Sequence, residues 1–149
     1  MDFRAAQDRI VVVQSALTIS SPDSIEIAKA YKTVPDRDQQ LPDLPCWINT
    51  WAFTQDDWGT NLAVGSFVVR SQLFLGEKDL DRAADQAAAF FEAWITAFRA
   101  DVTLAGAVTS IALRGANPTL VMLEWGGQSY MGLDLFMDLI FTEGVNFEP

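Results

Sequence analysis

At 149 residues the chain is long enough for one domain with a proper core. Half of it is hydrophobic, yet 10 Lys and Arg stand against 20 Asp and Glu, a formal net charge of -10. That balance argues against nucleic-acid binding by counterion release and against attraction to an anionic membrane surface, both of which need basic patches. The lack of histidine removes the commonest general base and metal ligand. A single cysteine, Cys46, allows neither an internal disulfide nor a thiolate zinc cluster, and a reducing compartment is the simplest reading. So much apolar material in an acidic chain has two readings: surface buried between subunits, or one well-filled core.

In chain order, Asp2–Thr18 reads as a helix with Phe3, Ala6, Ile10, Val13 and Leu17 along one face. Asp2, Asp8 and the shortness of the run Ile10–Val13 argue against a signal peptide. Ser20, Ser21, Pro22 and Asp23 break the helix. Ile25–Val34 is expected as a strand, in preference to two helical turns, because it is β-branched at both ends and bracketed by Pro22 and Pro35. Pro35, Pro42, Pro45 and the polar run Asp36–Gln40 make Pro35–Pro45 an extended loop. Cys46–Phe53 follows as a strand, placing Trp47, Asn49, Trp51 and Phe53 on one face, either core or contact surface. Gln55–Thr60 is expected as a polar loop holding Asp56, Asp57 and Trp58.

Leu62–Leu75 alternates as a long strand, with Phe67, Val69, Ser71 and Leu73 facing one way and Val64, Ser66, Val68, Arg70 and Gln72 the other. The most strongly patterned stretch is Asp79–Ala100. Leu80, Ala83, Ala84, Ala87, Phe90, Phe91, Trp94, Ile95 and Phe98 recur at helical steps, and Asp79 is placed to cap the N-terminus. Its rings need a broad apolar partner, which a sheet supplies. Asp101–Gly106 is a turn and Val108–Leu113 a strand, closed by Gly115, Asn117 and Pro118. Leu120–Trp125 and Gln128–Phe141 flank Gly126–Gly127 as a β-hairpin, in which Met122 faces Met131 and Leu120 faces Leu133. Met131, Leu133, Leu135, Met137, Leu139 and Phe141 form an apolar face; Tyr130, Asp134, Phe136, Asp138 and Ile140 form a mixed one. Asp134 and Asp138 also keep Leu133–Phe141 from being a membrane span. The fold expected is α+β over a single domain, 1–149: a mostly antiparallel sheet of about six strands on one long amphipathic helix, with an N-terminal helix and a C-terminal hairpin.

Chemistry is hard to find. Gly126–Gly127 precedes no helix and cradles no phosphate. No histidine activates a serine. Gln55, Asp56, Asp57 and Asn61 match no calcium loop, and no metal or cofactor is expected. Glu124 and Asp134 have two readings, a carboxylate pair for acid–base work or outward polar positions. Two unlike surfaces are candidates for subunit or partner contact. One is Asp56, Asp57 and Trp58, with a large ring at a polar loop; the other is Tyr130, Asp134, Phe136 and Asp138 on the mixed strand face.

The element order, the D-x-T-L-x-G turn at Asp101, Thr103, Leu104 and Gly106, and the Gly-Gly-x-x-Tyr-x-Gly tip at Gly126, Gly127, Tyr130 and Gly132 resemble tail terminator (tail-completion) proteins of long-tailed bacteriophages and the related neck proteins. The likeness spans Leu62–Thr142. It implies a non-enzymatic virion protein, assembled in the host cytoplasm, that forms a hexameric ring on the tail tube. Such a ring stops tube polymerisation, meets the head-completion proteins and lets double-stranded DNA pass without specific binding. It implies no catalytic residues and no cofactor. Two other classes stand beside it: a small-ligand or lipid-binding α+β module with its pocket between helix and sheet, and an enzyme working with carboxylates alone. Oligomeric mass separates the first two.

Overall fold

Three long strands carry the sheet. The computed structural model describes residues 3–58, 62–114 and 119–144, with 52–58, 62–65 and 142–144 described by backbone alone. Its elements are α1 (Phe3–Ser15), β1 (Thr18–Ile19), β2 (Ile25–Glu26), β3 (Lys29–Tyr31), β4 (Cys46–Trp58), β5 (Leu62–Leu75), α2 (Leu80–Arg99), β6 (Ser110–Arg114), β7 (Val121–Trp125) and β8 (Gln128–Gly144). The main sheet runs β3-β4-β5-β8-β6, and β7 pairs with β8 beside it. Every pairing in it is antiparallel except β3 with β4. β6 and β7 share the same flank of β8 end to end: Val121–Trp125 lies opposite Gly132–Gln128, and Ser110–Arg114 opposite Ile140–Phe136. The α+β architecture read from the sequence is the one observed.

The expected core is in place. Asp79 caps α2, its carboxylate accepting from the N–H groups of Asp81 and Arg82 at 3.0 and 3.4 Å. The helix buries Ala83, Ala87, Phe90, Trp94 and Phe98 against Leu133, Leu135, Met137 and Leu139 of β8, while Phe91 and Met131 sit half-buried at the margin. α1 covers the same face through Ala6 and Ile10, and Phe3 stacks on Phe67 at 4.4 Å. Trp47 is fully buried here and Trp51 partly, so of the two readings offered for them the core is correct.

A polar knot pins α1 to the sheet. Gln14 donates to Asn49 Oδ1 at 2.9 Å and to Ser71 Oγ at 3.0 Å. Asn49 donates back to Gln14 Oε1 at 2.7 Å and to the Tyr31 carbonyl at 3.0 Å, and Ser71 donates to Asn49 Oδ1 at 2.7 Å. All three side chains are fully buried and mutually satisfied, so they fix the helix's position where apolar contacts alone would let it slide.

One end of the other face of the sheet is covered by a strap. The segment between β3 and β4 crosses the sheet to the β7–β8 hairpin, where Gly126 N–H donates to the Arg37 carbonyl at 3.2 Å and Trp125 Nε1 to the Asp36 carbonyl at 3.0 Å. Leu41 drops into a second apolar cluster with Cys46, Ile48, Phe74, Leu123, Trp125 and Tyr130.

Several boundaries depart from expectation. The helix expected to run to Thr18 ends at Ser15, and Thr18–Ile19 turns into β1, where it pairs with Ile25–Glu26. β7 begins at Val121 and not at Leu120, and β8 runs past Phe141 to Gly144. The stretch expected as one strand over Ile25–Val34 is two short ones, because Ile25–Glu26 pairs with β1 and Lys29–Tyr31 with β4. β6 begins at Ser110 and not at Val108, whose side chain is buried in the core. The polar loop expected over Gln55–Thr60 is, through Trp58, still β4. A bulge between Phe53 and Gln55 lets the ladder continue, with Asp56, Asp57 and Trp58 opposite Gly65, Val64 and Ala63. The rest of that expected loop, from Gly59 to Thr60, lies outside the described residues, as do Gly115, Asn117 and Pro118.

Arg82 on α2 forks onto Asp23, with Nε at 2.7 Å from one carboxylate oxygen and Nη2 on the other, and Gln86 donates to the same group at 3.0 Å. These bonds hold the Asp23 carboxyl at about 2, below its ordinary 3.8. A depressed carboxylate contributes stability above its unfolded value and loses it as pH falls through the folded one, here from 3.8 toward about 2. The pair is exposed, so the contribution is small. The shift itself is measurable: Asp23 should titrate near 2 by carbon NMR and return toward 3.8 in Arg82→Gln. An ordinary titration in the unmodified protein would show the pair open in solution.

Candidate functional site

Alternation along β5, β8 and β6 builds a surface on the sheet face away from the helices. Register sets its central row as Thr50, Arg70, Phe136 and Arg114, with Val68, Asp138 and Ala112 in a neighbouring row. The strap covers only the end of this face near Phe74 and Tyr130. Beyond it, Phe136 stands between two arginines, each tied to an acid of β8.

Arg70 donates from Nε and Nη2 to the two oxygens of Asp134 at 2.9 and 2.7 Å, and its guanidinium lies 5.8 Å from the Phe136 ring centroid. Asp134 pushes Arg70 still further above its already high ordinary value. Arg114 Nε lies 3.3 Å from Asp138 Oδ1. The arginine side chains are about half exposed, 47% and 56%, and their acids half-buried, so these pairs lie flat and accessible. Flat ion pairs around a half-buried ring contribute little to the monomer.

Of the residues singled out from sequence, Asp134, Phe136 and Asp138 share this face. Tyr130 lies on the same face but at its covered end: it is buried under the strap, packing edge-on to Phe74 at 5.6 Å, and its hydroxyl accepts from Leu41 N–H at 3.2 Å. Its role is therefore to hold the strap, and it offers nothing to a partner of the intact fold. Asp56, Asp57 and Trp58 lie on the distal part of β4, and their side chains are outside the description. Glu124 pairs with Ser129, on the other face of β8 from Asp134, so the two carboxylates do not form an acid–base pair. Sequence reading omitted Arg70 and Arg114 from the surface. Arg70 was already on the outward face of its strand; Arg114 was one residue past the expected end of β6.

Among the described residues no three His, Cys, Asp or Glu side chains converge as a metal site. Burial pushes the Cys46 thiol up to about 12, so it is not a thiolate at neutral pH. Phe90, Trp94 and Phe98 fill the space between helix and sheet. No described helix is long and apolar enough to cross a membrane. The residues of the Gly-Gly-x-x-Tyr-x-Gly tip are accounted for by packing: Gly126 and Gly127 turn at φ +59° and +74°, Tyr130 anchors the strap, and Gly132 passes hard against β5. Comparison with family models, curated proteins and solved structures finds no match.

Proposed function

We propose that the chain is a ring-forming structural subunit of a long-tailed phage, a tail terminator or a closely related neck protein, with six copies around a channel for double-stranded DNA. The reading rests on the resemblance of its element order and hairpin tip to that class. The observation that carries it furthest is the open half of the outward sheet face, where Phe136 lies among pre-paired charges while the opposite face is closed by two helices. Rings need heterologous contacts, in which one patch meets a different patch on the neighbour. The formal charge of -10 suits a wall that phosphate slides past, since attraction would retard passage. A ligand-binding module is less well supported, because its pocket would have to lie where the α2 rings already are.

The test is in the virion. With the gene deleted, heads and tails should fail to join. Overlong tails would identify a terminator, and tails of normal length a neck protein. Normally joined particles with tails of ordinary length would rule the proposal out.

A further inference from the structure

The sheet has two unfinished edges, and they match. β3 pairs with β4 only over Cys46–Ile48, and no described strand runs along β4 from Thr50 onward. On the opposite flank β6 pairs with β8, and no described strand lies beyond it. A long unpaired edge is a template for another strand, and proteins usually blunt such edges with bulges and charge. β4 does this over its distal part, with the bulge between Phe53 and Gln55 followed by Asp56 and Asp57. The segment Thr50–Phe53 carries neither device.

Register places the two edges at the same height. Reading across the sheet, the rows are Thr50–Arg70–Phe136–Arg114, Trp51–Val69–Met137–Leu113, Ala52–Val68–Asp138–Ala112 and Phe53–Phe67–Leu139–Ile111. The unguarded part of β4 therefore spans the same rows as β6. Direction matches too. β4, β5, β8 and β6 alternate, so β6 of one copy set beside β4 of the next runs antiparallel to it, the better-bonded arrangement. Keeping the height puts Leu113 beside Trp51 and Arg114 beside Thr50, like with like on each face.

We infer that β6 of one copy pairs antiparallel with Thr50–Phe53 of β4 in the next, so that the sheets join into a continuous wall. The contact is heterologous, and repetition about an axis along the strands closes a ring. The inference deepens the proposed function and rests on its ring.

Cysteine pairing tests it. In a Thr50→Cys/Arg114→Cys variant the two thiols of one chain lie three strand spacings apart, on the order of 14 Å. That is beyond the roughly 7 Å a disulfide spans. Both positions are exposed, so the fold is retained, and buried Cys46 does not compete. Under mild oxidation the double variant should give a ladder of cross-linked multimers, and each single variant none. A dimer from either single variant would mean that like edges meet, and would overturn the inference. So would the absence of any ladder, whether light scattering finds oligomers or a monomer; oligomers without a ladder would leave the ring reading standing on another interface. A ladder combined with normal virions after gene deletion would remove the phage function and leave the edge pairing intact.

Discussion

Trp94→Ala is expected to cost about 3–5 kcal/mol of folding stability, the range for emptying a large aromatic site in a core. Trp94 is fully buried near the middle of the apolar stripe of α2, its ring 5.5 Å from that of Phe98. It packs in one cluster with Phe90, Leu133, Leu135 and Met137. Its indole nitrogen has no hydrogen-bond partner among the described residues. Trp94→Phe should therefore recover most of the loss, ending within about 1.5 kcal/mol of the parent, since the smaller ring discards an unsatisfied donor. Urea melts of both variants check this. A loss under about 1 kcal/mol for the alanine variant would mean that this face is not the core.

Gly132→Ala should be worse than an ordinary overpacking change. A Cβ at Gly132 would stand 1.7 Å from the Leu73 carbonyl oxygen and 3.1 Å from Leu123 Cδ1. The first of these is backbone in the neighbouring strand, so relief requires β5 and β8 to separate where Phe74 pairs with Gly132. Overpacking that side chains absorb costs about 1–3 kcal/mol; here the ladder must yield, and the loss should exceed about 3 kcal/mol. Soluble protein with an unchanged melting midpoint would show that the strands pass less closely than this. Gly127→Ala is the control: its Cβ meets nothing within 4 Å, and only the positive φ of +74° is strained.

Much of this arrangement was legible because its periodicities are clean. The stripe of α2, the alternation of β5 and the hairpin at Gly126–Gly127 each follow from local pattern, and Met122 is found opposite Met131, while Leu120 lies just outside the ladder. Asn49 and Ser71, polar residues interrupting two otherwise apolar faces, were the visible sign of a buried network. Their partner Gln14 follows Ile10 by one helical turn, but nothing local says that a glutamine will point inward. The strand identity of Asp56–Trp58 was hidden because acids and a bulge look like a loop until the length of the partner strand is known. Tyr130 alternates onto the same side of β8 as Phe136, and local pattern cannot announce that a strap from a segment 89 residues away covers it. The two arginines beside Phe136 emerge only from cross-strand register, which one strand's sequence does not contain.

The strap also divides the molecule's hydrogen-exchange behaviour. Leu41 and Gly126 have amides held by the strap crossing and not by a ladder, the first by the Tyr130 hydroxyl and the second by the Arg37 carbonyl. Lifting the strap breaks both bonds, frees the Trp125 indole from Asp36 and removes Arg37 from the face of its ring, 4.9 Å away. None of this disturbs the knot at Gln14 or the seat of α2. The two amides should exchange together, as one sub-global opening, ahead of the amides in the middle of β5 and β8. The rise of Trp125 exposure should track that opening and not global unfolding.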